Sequence, residues 1–437
     1  MLLIHTPRMS NRLGYTLNVL FGHLLHIDYS ITTDEALFLA HSDAKLCYGP
    51  RRIGDALFLK SSRLLFETSI DEQQPHPFRH DSQWMLFPVY GGSPDLPFDP
   101  LAAIFYMVSR YEEYLPHRED EHGRMLSGEH IAVAEGFKDE PVVDQWALMV
   151  GRVIADRYPD FRIPHRQYQF VQTVDIDAAW CFLHKGVYRT LMGILRDLVV
   201  RRDTEEVRRR MRVLFHREDD PFDTFDYIIS LHPRSPNSHL IFFALLADYG
   251  QYDKPSGYNN PHTRELLQHL GDYAKVGLHP GYHSLENPQN VGIEAARLEG
   301  ILHRTIVRSR YHFLRLHLPR SYRVLQRVGL RHDYSMGYAD TTGFRAGISS
   351  PYPFYDLERD VETPLTIHPF CTMDTTLQRY LRLSPEEGLE RYRQLIANVK
   401  AVNGVFCNIV HNQNLCDLYG WRGWRAVYEQ MLVDARP

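Results

Sequence analysis

The pattern of apolar and polar positions changes character near residue 165. Before that point it is mixed. "NRLGYTLNVLFGHLL" carries apolar residues at helical spacing, whereas "ALFLAHS", "ALFLKSS" and "MLFPVYG" are short, turn-bounded runs that predict strands. In "LPFDPLAAIFYMVSRYEEYLP", Asp99 suits an N-cap, Pro100 the first helical position and Pro116 the stop, so a helix is predicted whose Phe, Tyr and Met residues enter the core. Residues 1–165 are expected to form a smaller α+β accessory domain.

From 166 to 437 apolar segments alternate with helical ones. The segments are "YQFVQTVDIDAAW", "HLIFFALLADYG", "YAKVGLHPGYHS", "YHFLRLHLP", "HDYSMGYAD", "TPLTIHPF" and "GVFCNIVHNQN". Strand alternating with helix is the pattern of a parallel α/β sheet, and this many units predicts an irregular (β/α) barrel. Functional residues of such barrels lie at the carboxyl ends of the strands. Each polar cluster in these segments stands where its apolar run stops. One insertion, "KGVYRTLMGILRDLVVRRDTEEVRRRMRVLFHRE", interrupts the alternation as a basic amphipathic helix pair. A solvated lid or packing element is its first reading, and peripheral contact of 186–217 with an anionic lipid surface or another polyanion is the alternative.

Composition narrows the class. The length of 437 residues suggests two domains, and 44% apolar with 24% charged residues is ordinary globular composition. A formal net charge of −5 offers no whole-protein attraction to nucleic acid, so no nucleic-acid partner is expected. Cys47, Cys181, Cys371, Cys407 and Cys416 are odd in number, scattered and without a C-x-x-C pair, which argues against a disulfide framework and a thiolate zinc site. No apolar run approaches the roughly 20 residues of a membrane helix, and the first residues lack a signal-type apolar stretch. A soluble, cytoplasmic protein is expected.

The chemistry sits at the predicted strand ends. Asp175 and Asp177 in "QTVDIDAAW" are two apart, so both carboxylates project to one face and fit one ligand and one base, although acidic residues there also cap helices. His279 and His283 in "GLHPGYHS" bracket a Pro-Gly turn that brings two imidazoles within reach of one ion, or they are surface histidines among the chain's 24. Arg315 in "YHFLRLHLPRSY" and Arg345 in "GFRAGISSPYPFYD" are both candidates to hold a carboxylate base ionised through a bidentate pair. His411 follows the buried-strand run "GVFCNIV", with Asn412 and Asn414 as hydrogen-bonding neighbours. Asp333, Asp340 and Asp374 are candidates for contacts to sugar hydroxyls or for turn and capping roles.

Taken in order, "TVDIDAAW", "GLHPGYHS", "RLHLPRSY", "HPFCTMDTTL" and "NIVHNQN" resemble the ordered motifs of the polysaccharide deacetylases of the NodB-homology superfamily, carbohydrate esterase family 4 and its relatives. The resemblance covers about 166–437, and the first part resembles an accessory domain found with bacterial members. It implies a divalent transition metal, zinc first, held by Asp177, His279 and His283. It further implies Asp175 as base, His411 as acid and an arginine, Arg315 ahead of Arg345, that positions the base. The implied reaction is removal of an acetyl group from an N- or O-acetylated sugar, glycan or precursor. The sequence departs from the family pattern where Ile176 separates the usual adjacent Asp pair, where Pro280 replaces a small hydroxyl residue, and where the arginine motif is divided. A metal-independent amidohydrolase and a non-catalytic glycan-binding protein on a retained barrel are the competing readings.

Overall fold

The computed structural model describes all 437 residues and contains three sheets. Strands β1 (Leu2–His5), β2 (Tyr29–Thr32), β3 (Lys45–Gly49) and β4 (Leu57–Lys60) form the first, in the order β2-β1-β3-β4 with every pair parallel. Parallel neighbours need crossover connections, so the N-terminal segment has α/β layering where the sequence pattern predicts α+β. The difference arises largely at "ALFLAHS". Asp34 accepts hydrogen bonds from the N–H groups of Ala36 (2.8 Å) and Leu37 (3.1 Å), and the run folds as the helix Glu35–Ala40 that carries β2 across to β3. A hairpin of β5 (Phe78–His80) and β6 (Gln83–Met85) follows. Asp99 caps the helix Pro100–Val108, accepting from Leu101 N–H at 3.1 Å and Ala102 N–H at 3.0 Å. Every residue of that helix is buried, which is why its apolar residues run all round it.

The second sheet has nine strands. They are β7 (Gln169–Ile176), β8 (Ser238–Leu245), β9 (Lys275–His279), β10 (Arg308–Ser309), β11 (His332–Asp333), β12 (Tyr352–Asp356), β13 (Val361–Ile367), β14 (Thr372–Met373) and β15 (Val405–His411). The order is β12-β13-β11-β10-β9-β8-β7-β15-β14, parallel throughout except for β12 on β13. One stretch of chain joins the last strand but one on one side of this ladder to the last on the other. β13 pairs with β11, β14 pairs with β15, and only residues 368–371 separate them, bonded through His368 N–H to Asp333 O and Cys371 N–H to Cys407 O. A single bent segment therefore links the β13–β11 side of the sheet to its β14–β15 side.

Parallel register sets the carboxyl ends side by side. Asp175 lies opposite His411 on one flank and Phe243 on the other, and Leu245 lies opposite His279. One apolar core of 94 residues extends from Leu2 to Ala435 through both large sheets, so residue 165 marks a change of sheet and not a break in the core. Arg345 crosses this junction. Its guanidinium donates to both Glu113 carboxylate oxygens, at 2.9 and 2.7 Å, within a buried cluster that includes Arg110, Glu112 and His130. No helix is long and apolar enough to cross a membrane.

Candidate active site

Five chain segments bring titratable side chains to the carboxyl end of the second sheet. Asp177 follows β7, His279 ends β9, His312 lies three residues beyond β10, Asp374 follows β14, and His411 ends β15. Asp177, His279, His312 and His411 border a cleft of about 300 Å³ that also receives Arg124 from the N-terminal segment, with Asp374 behind His411.

The three imidazoles are held alike. Nδ1 of His279 meets the Arg310 carbonyl at 2.6 Å, Nδ1 of His312 meets Asp253 Oδ1 at 2.7 Å, and Nδ1 of His411 meets Asp374 Oδ1 at 2.7 Å. With each Nδ1–H donating outward, every Nε2 turns to Asp177. His279 Nε2 and His312 Nε2 stand 3.4 and 3.5 Å from Asp177 Oδ1, and His411 Nε2 stands 3.7 Å from Oδ2. Asp177 Oδ1 is buried and has no hydrogen-bond partner. Burial opposes charge on Asp177, but the facing imidazoles of His312, His411 and His279 outweigh it and hold the carboxyl well below the usual range. Burial likewise opposes protonation of His312 and His411. Asp177 and Asp253 win at His312, lifting it to about 9, while Asp374, Asp177 and Asp175 lift His411 to about 10.

Asp175 is fixed from the other side. Arg310 Nη1 donates to Asp175 Oδ1 at 2.9 Å and to Thr173 Oγ at 2.6 Å, and its Nε donates to the Tyr334 carbonyl at 2.9 Å. The guanidinium is fully buried and lies over Phe243, with 4.7 Å from its carbon to the ring centre. Asp175 Oδ2 is 3.9 Å from His279 Nε2, within the same cleft.

Asp177, His279 and His312 offer ligand atoms all within 4.8 Å of one another. For tetrahedral coordination at metal–ligand distances of about 2.0–2.1 Å, adjacent ligand atoms stand about 3.4 Å apart. The two His–Asp177 distances match that spacing, and the orphaned Oδ1 is the atom that such an ion would satisfy. The donor set fits a divalent transition metal.

Of the residues singled out from sequence, Asp175, Asp177, His279 and His411 converge here, whereas His283, Arg315 and Arg345 do not. His283 belongs to the short turn Tyr282–Ser284, exposed, with Nδ1 3.8 Å from Glu286. Residues four apart face each other on a helix, but β9 is extended up to His279 and the chain then turns away through Pro280 and Gly281. Gly281 is required at that turn. An added Cβ would lie 2.4 Å from the Ala247 Cβ, and its N–H donates to Glu294 Oε2 at 2.9 Å. Arg315 binds the carbonyls of His122 and Tyr282 at 2.6 Å each and pairs with Glu286, bracing this turn against the 120–124 loop. Arg345 holds Glu113 at the junction described above.

Arg310 and His312, which sequence reading did not single out, are the arginine and the histidine that reach Asp175 and Asp177 instead. β10 is only two residues long, too short for any periodicity, so the segment from 311 onward is read as the strand. Phe313 and Leu314 then adopt φ of 57° and 54°, a left-handed pair that turns the chain sharply just after His312. Two non-glycine residues there carry strain of about 1–3 kcal/mol each. Asp374 and Asn414 are partly legible. Asp374 Oδ2 accepts from Asn414 Nδ2 at 2.9 Å and from His411 N–H at 2.8 Å, so both serve His411.

Glu294, behind the turn, gives a stability prediction. Burial, with help from Asp253, pushes its carboxyl up to about 7 from 4.5. A raised carboxylate pKa stabilises the fold fully below the unfolded value, and that contribution is lost as pH rises through about 7. Glu294→Gln should therefore gain stability over the parent by about 2 kcal/mol more at pH 8 than at pH 5, read from urea denaturation. A pH-independent difference would refute the assignment.

Comparison with known proteins adds the following. A family model described as a family of unknown function (DUF7033) matches residues 2–159. No curated protein matches by sequence. Among solved structures, a candidate polysaccharide deacetylase from Mycobacterium smegmatis is similar at 15% identity and TM-score 0.37, over 63% of this chain and 86% of that one. A candidate polysaccharide deacetylase involved in O-antigen biosynthesis from Bordetella bronchiseptica gives 13% and 0.32, over 62% and 85%. A GH57 branching enzyme from Thermococcus kodakaraensis gives 8% and 0.34, over 61% and 68%. With identities and TM-scores this low, none of these likenesses bears on the activity.

Proposed function

We propose that the protein is a metal-dependent hydrolase that removes an acetyl group from a sugar, glycan or glycan precursor, on a sheet read as an irregular (β/α) barrel. The observation that carries this is the aim of His279 and His312 at a buried, unpartnered Asp177 oxygen, with a fixed carboxylate and a fixed imidazole on either side. Asp177, His279 and His312 would hold the metal. When bound, a zinc-type ion supplies Lewis acidity that polarises an acyl carbonyl and acidifies water. Arg310 holds Asp175 in place through Oδ1, so that Oδ2 takes the proton from the attacking water. His411, kept protonated by Asp374, gives its Nε2 proton to the departing amine or alcohol. Arg124 and Gln413 also line the cleft, with Gln413 Nε2 donating to Asp177 Oδ2 at 3.1 Å.

Metal analysis combined with acetate release from a panel of N-acetylated sugars and precursors tests the reading. The expected result is about one divalent metal per chain and acetate release that a chelator abolishes and metal restores. Acetate release without metal would favour an amidohydrolase that works unaided. Full metal with no acetate from any substrate would favour a binding protein.

A further inference from the structure

The helix Gly186–Arg196 and its π-helical continuation Asp197–Arg201 turn their apolar side outward. Val187, Leu191, Leu195 and Val199 recur at four-residue spacing and are all exposed, and Val187, Tyr188 and Val200 are each at least 75% exposed. Leu195 and Val199, with Tyr188, Met192 and Val200, border an open groove of about 1010 Å³ that separates them from Tyr249 and Tyr419, so no part of this chain packs against the stripe. Apolar surface on this scale in an otherwise well-packed molecule marks a contact surface.

Charge identifies the occupant. Residues 185–217 contain ten Lys and Arg against four Asp and Glu, in a chain whose net charge is −5. Within 185–202 the cations are Lys185, Arg189, Arg196, Arg201 and Arg202, and the single acid, Asp197, is buried and paired with Arg210, with Arg201 at 3.4 Å and Arg196 at 3.9 Å. The apolar stripe is thus flanked by arginines with no exposed acid between them. A second copy of this face would set arginine against arginine, with no carboxylate to receive them. An exposed apolar stripe edged with arginine is what a helix needs to lie in the headgroup layer of an anionic bilayer, its apolar side chains in the acyl boundary and its cations on the phosphates.

We propose that 186–201 docks the protein peripherally on an anionic lipid surface. Ala178, next to Asp177, lines the same groove, so docking brings the candidate cleft to the bilayer and favours a membrane-anchored substrate. That last step rests on the function proposed above, whereas the docking does not.

Vesicle flotation of the full chain tests it, with phosphatidylcholine vesicles that contain or lack phosphatidylglycerol. Binding is expected on the anionic vesicles, falling with salt and at least about tenfold weaker without phosphatidylglycerol. Arg189→Gln and Arg196→Gln should each weaken it about fivefold, and Leu191→Asp with Leu195→Asp at least about 100-fold. Single Val200→Asp, at the exposed far end of the stripe, provides a milder variant whose circular dichroism should match the parent. No flotation with anionic vesicles, or equal flotation of the parent and these variants, would overturn the proposal. So would a dimer in lipid-free solution that the double Asp variant dissociates, because the face would then belong to a second copy.

Discussion

Purified His312→Ala should carry less than about a tenth of the metal of the parent chain, and His283→Ala should carry all of it. The two histidines differ in everything that matters to a ligand. His312 is buried, has its Nδ1 locked on Asp253, and directs Nε2 to the Asp177 oxygen that accepts no hydrogen bond and that His279 also faces. His283 is exposed and faces Glu286. Losing one of three protein ligands costs at least as much as losing an outer partner of a ligand, which typically lowers affinity 10–100-fold. Asp253→Asn should fall in that outer range. Each variant, dialysed against a competing chelator, is read by elemental analysis and by its melting temperature with and without added metal. A metal-replete His312→Ala, or a metal-free His283→Ala, would return the ligand role to the H-x-x-x-H motif.

What the sequence shows of this site depends on strand length. β7 and β15 are eight and seven residues long, enough to read as strands, so Asp175, Asp177 and His411 stand at visible ends. β9 has only five residues, yet the turn dipeptide that follows it marks His279 as its last. β10 and β11 have two residues each, and β14 has two. They are strands because longer neighbours hold them in register, and no local pattern records that. Arg310 and His312 lie past such a strand, where tertiary pairing alone determines which side chains face the cleft. The same limit applies at the amino end. "LLIH" and "KLCYG" are buried along nearly their whole length, so they lack the alternation that marks a half-exposed strand, and "ALFLAHS" has strand-like composition but a cap at Asp34. Spacing also gives misleading leads. Arg315 and Arg345 each make a carboxylate pair of the kind looked for in a base-positioning arginine, with Glu286 and Glu113 respectively, and only the path of the chain shows that neither carboxylate lines the cleft.

Asp175→Asn should keep the fold and most of the metal while lowering hydrolysis by about 10²–10⁴-fold, the range for loss of a positioned acid or base. Asparagine keeps an oxygen to accept the bond that Arg310 gives to Oδ1, although without the charge that strengthens it, and its amide has no basicity to take up the proton of water. His411→Ala should lose a similar factor on an N-acetylated sugar. The two variants then part on an activated aryl acetate. Its leaving group departs without a proton, so His411→Ala should recover much of its rate while Asp175→Asn stays slow, because water must be deprotonated for either substrate. Asp374→Asn should follow His411→Ala in this pattern more mildly, because Asp374 acts through the imidazole it holds at 2.7 Å. Equal losses of His411→Ala on both substrates would remove it from the acid role and leave it as one more imidazole gathered around Asp177.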